Sequence, residues 1–337
     1  MDNFLLKKLL TEYDSKRIQA ITEADIRKQE VYSSIPELQK IEDKLHSLSI
    51  NTLKSVLISS KEEKENYLNN LKVQSNNLII DKCNILKEHG IKSKDLEPSF
   101  DCPICNDTGY VKDSSGQTKL CNCLKQKIFD IQYNKSNIGN LDKENFDTFD
   151  FNVYSDKPNI EMYNSNISPR ENMHKIYDAC QNFIKNFDNP DEKNLMFLGP
   201  TGLGKTFLSN CMAKKLLESG KTVLYQTAPV MLDNIISARF DKDQSSSFVD
   251  NLLNVDLLII DDLGTETMNS MKFTELFTII NTRLLNQNNK ITKTIISTNL
   301  DLKSIFKIYN ERIGSRIAGH YNIYRFFGDD IRLKSKK

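Results

Sequence analysis

The spacing of hydrophobic positions separates the first hundred residues from the rest of the chain. Up to about residue 97 the sequence is polar and highly charged, and its apolar residues recur at intervals of three and four. This interval places them on one face of a helix. The two clearest stripes are Leu38, Ile41, Leu45 and Leu48, and then Leu68, Leu71, Ser75 and Leu78. We therefore predict a helical region over residues 1–97, which packs on itself as a small bundle, docks a partner protein, or does both.

From about residue 170 onward, short apolar runs alternate with helical patterns. The predicted strands are Leu195–Leu198, Thr222–Gln226, Val255–Ile260 and Thr294–Thr298. The predicted helices are Asn172–Phe187, Thr206–Leu217, Val230–Phe240 and Met271–Asn286, with helical turns at Ser304–Tyr309 and Glu311–Ala318. Strands that alternate with helices indicate an α/β fold with a parallel sheet and right-handed crossovers.

The first predicted strand leads directly into a phosphate-binding loop. Its residues are Gly199, Pro200, Thr201, Gly202, Leu203, Gly204, Lys205 and Thr206, a full Gly-x-x-x-x-Gly-Lys-Thr match. Glycines let backbone N–H groups face a phosphate, and the helix N-terminus adds positive potential. Lys205 supplies a cation for the outer phosphates, and Thr206 supplies a hydroxyl for Mg²⁺. Gly-Lys-Thr also occurs by chance in unrelated loops, but the full match between a strand and a helix predicts a nucleoside triphosphate site.

A later apolar strand ends in two carboxylates. Leu257–Ile260 is followed by Asp261 and Asp262. A buried strand that ends beside the phosphate loop would hold Asp261 near the magnesium ion and Asp262 where it can polarise an attacking water. The alternative is a plain strand-end turn. The phosphate loop upstream favours the catalytic interpretation.

Three further sets of polar residues are candidates for the same site. Asn299, after the strand Thr294–Thr298, either orients a water near the outer phosphate or caps the next helix. Arg312 and Arg316 share one helical face, which either presents an arginine to the nucleotide of a neighbouring subunit or is a solvated basic face. Arg332, near the end of the fold, is placed where it could sense the phosphates of its own subunit.

Four cysteines form a candidate metal site between the two parts of the chain, at Cys102, Cys105, Cys121 and Cys123. Two close thiolate pairs separated by a hairpin can bind zinc tetrahedrally, and such a closed site is structural. The second pair, Cys-x-Cys, is tighter than usual, so another ligand could replace one member. The nearest histidine, His89, is expected at a helix end. Buried free thiols are the alternative to zinc, and the other three cysteines are expected in the core.

Length and composition suggest an ordinary multi-domain protein. The 337 residues, 39% of them hydrophobic, suffice for two or three domains. We predict a helical partner-docking region over 1–97, a zinc element over 98–135, a connector over 136–169 and an ATPase domain over 170–337. The phenylalanines of Phe146–Phe151 are expected to pack on the ATPase domain, and a partner-binding role is the alternative.

Charge and hydropathy narrow the choice of partners. The net charge of +1 gives no global attraction to nucleic acid, so any DNA contact depends on local patches. No stretch approaches the roughly 20 apolar residues of a membrane span. The N-terminus lacks the layout of a signal peptide. We expect a cytoplasmic protein without membrane contacts.

In combination, these motifs resemble a known family. Gly199–Thr206, Leu257–Glu266, Ser297–Asn299, Glu311–Arg316 and Gly328–Arg332 look like the AAA+ module of bacterial replicative helicase loaders, the DnaC/DnaI group. The four-cysteine element and the phenylalanine connector are similar to those of DnaI-type loaders from low-GC Gram-positive bacteria. The resemblance is weaker over the first hundred residues.

The resemblance implies a role for each residue of the phosphate site. Lys205 and Thr206 would bind phosphates and Mg²⁺, and Asp261 would hold Mg²⁺. Asp262 would occupy the position of the catalytic carboxylate. Many AAA+ proteins carry glutamate there, so the shorter aspartate leaves the rate of hydrolysis open.

The same resemblance implies roles for residues beyond the phosphate loop. Asn299 would be the first sensor and Arg332 the second. Arg316 would be the arginine finger, with Arg312 as the alternate. The stretch from Asn299 onward is too short for a full helical lid, which is similar to the abbreviated AAA+ domain of the loaders.

The implied function is ATP-dependent loading of a replicative helicase in DNA replication initiation or restart, within a primosome. The helical and zinc region would dock on the hexameric helicase, and the AAA+ domains would assemble side by side and contact single-stranded DNA. One alternative is an IstB-type transposition helper that acts on duplex DNA with a transposase, against which the zinc element and the long helical region argue. Another is a nucleotide-gated adaptor that barely hydrolyses ATP.

Overall fold

The computed structural model describes residues 3–58, 61–113, 115–131, 141, 143–240, 245–285 and 290–334. The chain divides into two compact units, a helical unit of residues 7–119 and an ATPase unit of residues 120–337 together with 1–6. The predicted boundaries after residues 97, 135 and 169 stay predictions, and parts of the zinc element and connector, 132–140 and 142, lie outside the described residues. None of the described helices has both the length and the apolar character needed to cross a membrane.

Three long helices and a small two-stranded sheet make up the first 120 residues. They are α1 (Asn3–Ser34), α2 (Pro36–Ile58), α3 (Lys61–Glu88), β1 (Tyr110–Lys112) and β2 (Thr118–Leu120), with a 3₁₀ turn at Ser93–Leu96. Pro36 begins α2, as its fixed φ favours at a first helical position. Gly90, with φ of +70°, lies just after α3 and suits the left-handed conformation at a helix end.

The core of the helical unit is small. Its central cluster consists of Tyr32, Ile35, Leu38 and Leu86. The predicted stripe on α2 is buried at its start, at Leu38 and Ile41, and becomes half-buried toward its end. The predicted stripe on α3 is half-buried except for Leu68, which is exposed. The predicted apolar stripes therefore face the interior of the unit, but they are fully buried over only part of their length.

The ATPase unit contains nine helices and five strands among the described residues. The helices are α4 (Asn122–Phe129), α5 (Ile160–Tyr163), α6 (Pro169–Lys185), α7 (Lys205–Glu218), α8 (Ala228–Phe240), α9 (Ser245–Asn254), α10 (Ser270–Leu285), α11 (Leu302–His320) and α12 (Ile331–Lys334). The strands are β3 (Asn194–Leu198), β4 (Val223–Thr227), β5 (Leu257–Leu263), β6 (Lys293–Thr298) and β7 (Tyr321–Arg325).

The five strands form one parallel sheet in the order β4-β5-β6-β3-β7. This confirms the predicted α/β fold. The residues of β3 and β6 are buried throughout, as expected for a sheet covered on both faces. Because β6 lies between β3 and β5, the carboxyl ends of these three strands meet at one edge. The phosphate loop and Asn299 follow the ends of β3 and β6, and Asp261 lies within the last three residues of β5.

Strand β7 and the short helices α4, α5 and α12 were not predicted. Three further differences from the predicted elements concern α9, β5 and α11. Helix α9 was not predicted, and it forms because Phe248 and Leu252 bury their side chains in the core. Strand β5 continues past Ile260 and includes both aspartates. The two predicted helical turns join as α11, which is kinked at Asn310, where φ is 56° and ψ is 179°.

Helix α4 covers the outer edge of β4, the last strand of the sheet. The Gln126 side chain donates to the Val223 carbonyl at 3.0 Å and accepts from the Val223 N–H at 2.8 Å. Asn122 donates to the Gly220 carbonyl at 2.9 Å. These bonds attach α4 to the edge of the sheet.

The connector phenylalanines pack on the ATPase core. Phe146, Phe149 and Phe151 are partly buried against the cluster that includes α6 and β3. Their rings surround Tyr177 of α6, with centroid distances of 5.2, 5.2 and 5.1 Å. The acidic-aromatic segment therefore attaches to the domain that follows it.

Candidate functional site

The phosphate loop connects the buried end of β3 to the first residue of α7, Lys205. Gly202 and Gly204 have φ of +73° and +87°, a region that L side chains rarely adopt. A Cβ at these positions would lie 1.9 Å from Asp330 Oδ1 and 2.6 Å from the Tyr154 hydroxyl, respectively. Gly204 is also the N-cap residue of α7 and has no side chain to cap the helix N–H groups. These N–H groups can therefore face a phosphate.

Lys205 lies at the centre of the loop. Its ammonium group donates to the carbonyls of Gly199 and Pro200 at 2.6 and 2.7 Å, and to Asn299 Oδ1 at 2.8 Å. Burial lowers the pKa of Lys205 to about 8, Asp261 and Asp262 oppose that shift, and Arg332 adds to it. The contact with Asn299 joins the end of β6 to the phosphate loop that follows β3.

Asp261 is 4% exposed and accepts four hydrogen bonds. Thr206 Oγ1 donates to Oδ2 at 3.0 Å, and the Tyr225 hydroxyl donates to the same oxygen. The Asp262 N–H donates to Oδ1 at 3.0 Å, and the Ser297 hydroxyl donates there too. The carboxylate is thus fixed by three strands and by the residue that follows the phosphate-loop lysine.

Neither Tyr225 nor Ser297 was predicted as a site residue, although Ser297 belongs to the Ser297–Asn299 motif. Both lie inside apolar strands, where a buried tyrosine resembles a core residue. Burial, together with the nearby Asp261 charge, raises the pKa of Tyr225, so its hydroxyl keeps the proton that it donates. One feature of the sequence could have indicated them: each strand next to β5 carries a polar side chain near the position that pairs with Asp261. On β4 the residue in register with Asp261 is Thr227.

Asp262 lies in a bulge of β5. The pairing of β5 with β6 shifts between Ile260 and Leu263, and Asp262 has φ of +54°. Such bulges commonly redirect a side chain next to an active site. Burial raises the pKa of Asp262, the Asp261 charge raises it further, and Lys205 lowers it. A raised pKa makes this carboxylate a stronger base than an ordinary aspartate.

Arg332, the last predicted arginine, is linked to the phosphate loop by its ion pair with Asp330. Arg332 donates to both carboxylate oxygens of Asp330 at 3.0 and 2.8 Å. The Ile331 N–H donates to the Gly202 carbonyl at 2.9 Å. Because Asp330 also abuts Gly202, this C-terminal segment is anchored on the phosphate loop.

The structure does not bring the other two arginines into this constellation. Arg312 is exposed and Arg316 is half-buried on the second half of α11. Within the described ranges, neither guanidinium forms a hydrogen bond or ion pair with the phosphate loop, Asp261 or Asp262.

The four predicted zinc ligands lie together. The sulfur atoms of Cys102, Cys105, Cys121 and Cys123 are within 4.8 Å of one another. Thiolates at this separation fit a tetrahedral zinc ion. His89 contacts the Ile85 carbonyl at 2.9 Å at a helix end, as expected, and is outside this group. Of the remaining cysteines, Cys180 and Cys211 are buried and Cys83 is half-buried.

The residues at the sheet edge fit a magnesium nucleotide by the chemistry of their donors. Lys205 and the uncapped N-terminus of α7 offer positive groups for phosphate. Thr206 and Asp261 offer the oxygen atoms that Mg²⁺ prefers. Asp262 and Asn299 flank this set with a carboxylate and an amide.

Comparison with known proteins places the ATPase unit in a described family. The family described as IstB-like ATP binding protein matches residues 159–337, just over half of the chain. A protein named as an insertion sequence ATP-binding protein, y4pL, from Sinorhizobium fredii is 28% identical over 149 residues, or 43% of this chain and 58% of that protein. The replicative helicase loader DnaC of Buchnera aphidicola is 27% identical over 162 residues, or 48% of this chain and 64% of that protein.

These matches cover only part of each protein. The chain spans 58% and 64% of the lengths of those two relatives. A crystal structure of the DnaC helicase loader superposes with a TM-score of 0.45 and 22% identity, and it covers 56% of this chain and 99% of that one.

Proposed function

The chain belongs to the IstB-like ATP-binding protein family, and we propose that it is an ATPase that loads a replicative DNA helicase onto single-stranded DNA. The convergence of Lys205, Thr206 and Asp261 at one edge of the sheet carries the ATPase part. The helicase part is supported by the four-cysteine cluster, which resembles that of DnaI-type loaders. The helical unit adds support as a candidate docking region, although the resemblance is weaker there.

Binding of the nucleotide follows from the donors at the loop. Lys205 and the N–H groups at the start of α7 would bind the phosphates, while Thr206 and Asp261 would hold Mg²⁺. The bound magnesium ion would supply positive charge that stabilises the transferring phosphoryl group. The hydrogen bonds from Tyr225 and Ser297 would keep Asp261 in one orientation toward that ion.

Asp262 would orient the attacking water and accept its proton. Its raised pKa supports this role, and its short side chain is consistent with slow hydrolysis. Asp262→Ala should keep nucleotide affinity and lose turnover. If turnover survived in Asp262→Ala, another group would be the base. If partner release survived without turnover, the chain would be a nucleotide-gated adaptor.

The arginines would divide between two subunits. Arg332 would sense phosphates within its own chain, together with Asn299. Arg316, with Arg312 as the alternate, would complete the site of a neighbouring copy, because neither forms a hydrogen bond or ion pair with the described residues of its own phosphate loop. A mixture of Arg316→Ala and Asp262→Ala chains should then regain ATPase activity, since one interface combines an intact pocket with an intact arginine. A mixture as inactive as its components would contradict this arrangement.

The helical unit would dock on the hexameric helicase. Several large apolar residues are exposed on α2 and α3, among them Leu53, Val73 and Ile80. We expect the full chain to co-purify with the replicative helicase of its host, with the complex measured by light scattering. Val73→Glu with Ile80→Glu should abolish the complex, and Val230→Glu, an exposed apolar position of the ATPase unit, should not. A helicase that stays free of the unaltered chain would contradict the loader function.

A transposition-helper ATPase is the second candidate. The family description and the y4pL relative favour it. This function predicts ATP-dependent binding to duplex DNA in preference to single strands, whereas a helicase loader should prefer single strands. Anisotropy of labelled single- and double-stranded oligonucleotides with Mg²⁺ and a slowly hydrolysed ATP analogue distinguishes the two.

A further inference from the structure

The segment that follows Asp262 is folded by its own hydrogen bonds. The Thr265 N–H and hydroxyl both donate to the Asp262 carbonyl, at 3.2 and 2.8 Å. The Gly264 N–H donates to Glu266 Oε2 at 2.9 Å. The position of the Glu266 carboxylate is therefore tied to the backbone that presents Asp262.

The same carboxylate reaches helix α11. The Tyr309 hydroxyl donates to Glu266 Oε1, and both side chains are buried. Burial, together with the Glu266 contact, raises the pKa of Tyr309, so the phenol remains a donor. A buried hydrogen bond to a charged acceptor is worth more than a neutral surface one. The pair therefore fixes Tyr309 against the Asp262 segment.

Tyr309 is the last residue before the kink of α11. Asn310 has φ of 56° and ψ of 179°, a conformation that costs a non-glycine residue roughly 1–3 kcal/mol and persists only where the surroundings enforce it. The Asn310 side chain accepts from the Arg312 N–H at 2.8 Å and so starts the second half of the helix. Across the kink, Phe306 packs against Gly314, where a Cβ would lie 2.6 Å from its ring.

We infer that Glu266 and Tyr309 are a positioning pair that sets the direction in which α11 presents Arg312 and Arg316 to a neighbouring subunit. One end of the pair is tied to the backbone of the catalytic carboxylate, and the other directly precedes the kink that aims the arginines. This inference rests on the proposed action of Arg316 on a neighbour's nucleotide. If the pair is broken, the loss of activity should come from misplaced arginines and not from a change in the nucleotide pocket of the same chain.

Tyr309→Phe removes only the hydroxyl, and Glu266→Gln is the second variant. Each should lower kcat of the assembled protein about tenfold, because a misplaced catalytic group can cost up to roughly 100-fold. The affinity for a fluorescent ATP analogue and the KM for ATP should stay within about twofold, since neither residue contacts the phosphate loop. The double variant should be no slower than the worse single variant, because the two residues act as one unit.

A matched control removes the same kind of bond elsewhere. Tyr32 in the helical unit donates to Glu42 at 3.1 Å, so Tyr32→Phe also breaks a tyrosine–glutamate contact. It should leave kcat unchanged. An equal loss of kcat in Tyr32→Phe would show that the effect reflects general destabilisation, and would overturn the inference.

Mixing experiments locate the defect. Tyr309→Phe chains mixed with Asp262→Ala chains should regain activity to the same extent as Arg316→Ala chains mixed with Asp262→Ala chains. If only the Arg316→Ala mixture recovers, the pair acts on its own pocket and the inference is overturned while the proposed function stands. If neither mixture recovers, the between-subunit arginine fails and the inference fails with it.

Discussion

The two units each hold a carboxylate with several hydrogen-bond donors, Asp261 and Glu42, in surroundings that differ in exposure to water. In the ATPase unit Asp261 is 4% exposed and is fixed by donors from three strands and from α7. In the helical unit the Glu42 side chain is 32% exposed and pairs with Lys28 and Lys82 at 2.8 and 2.9 Å. The first arrangement fixes one carboxylate among three strands and α7, whereas the second links three helices. Both carboxylates have several donors, so the two arrangements differ chiefly in their exposure to water.

The two units also differ in how fully their apolar side chains are buried. The ATPase unit buries an extended apolar core on both faces of the sheet, although single side chains such as Val230 stay exposed. The helical unit leaves Leu53 63% exposed and Val73 60% exposed. Exposed apolar residues on a helical surface are typical of an interaction face. We therefore expect substitutions in the ATPase unit to alter nucleotide binding and hydrolysis, and substitutions in the helical unit to alter stability and docking.

The largest effect is expected for Lys205→Ala. The variant removes the buried cation of the phosphate loop, so nucleotide affinity should fall by at least about 100-fold, since charge-assisted bonds contribute roughly 1.5–3 kcal/mol each. Lys215→Ala, an exposed lysine on the same helix, should bind nucleotide normally. Titration with a fluorescent ATP analogue measures both. Normal binding by Lys205→Ala would remove the nucleotide site from this loop.

A change at the cysteine cluster should alter metal content without altering nucleotide affinity. Cys102→Ser with Cys105→Ser should reduce bound zinc from about one atom per chain to almost none and loosen the N-terminal half of the chain, because structural zinc stabilises the fold around it. Cys83→Ser, outside the cluster, should keep its zinc. Atomic absorption of the purified proteins gives the answer. Equal zinc content in the variant and in the unaltered chain would contradict a zinc site.

Tyr225→Phe tests whether the strand neighbours of Asp261 matter for the metal. Loss of one hydrogen bond to a metal-holding carboxylate should raise the Mg²⁺ concentration needed for half-maximal ATP binding about tenfold. Tyr321→Phe, a buried tyrosine of β7, serves as the control. Magnesium titrations of nucleotide fluorescence measure the shift. An unchanged Mg²⁺ requirement would reduce Tyr225 to a core residue.

The smallest effect is expected in the helical unit, for Glu42→Gln. Burial raises the pKa of Glu42, but hydrogen bonds from Lys28 and Lys82 outweigh it and lower the pKa from 4.5 to about 2. The folded pKa is the lower one, so the stabilisation is fully present above pH about 4.5 and is lost as the pH falls toward 2. At pH 7 the variant should lose about 1–2 kcal/mol of unfolding free energy, because partial exposure screens the pair.

Urea unfolding followed by circular dichroism measures that loss. The difference between Glu42→Gln and the unaltered chain should shrink as the pH is lowered from 4.5. Glu30→Gln, an exposed glutamate of α1 with no ion pair among the described residues, should unfold as the unaltered chain does. A difference for Glu42→Gln that does not depend on pH would exclude the ion pairs as its cause.

The sequence predicted most of the ATPase unit because its signals are local. The apolar run before Gly199 and the glycines of the loop identified β3 and the start of α7 without any tertiary information. The candidate partners Asp261 and Asn299 followed from their positions after apolar strands. That Asn299 contacts Lys205 is a consequence of the strand order.

The features that the sequence analysis missed depend on residues far apart in the chain. Tyr225 looks like any strand tyrosine until β4 is paired with β5. The bulge at Asp262 and the kink at Asn310 need a positive φ, which cannot be predicted from the residue type alone. Gln126 is 97 positions away from the strand that it contacts.

Gln126 has a consequence for how the sheet behaves in a crowded solution. An uncovered terminal strand offers its N–H and C=O groups to any extended chain, which is a route to aggregation. By occupying both groups of Val223, the glutamine amide acts as a one-residue substitute for a sixth strand. A fragment that begins after residue 129 would lose this cover, so we expect the smallest well-behaved ATPase fragment to start before Asn122.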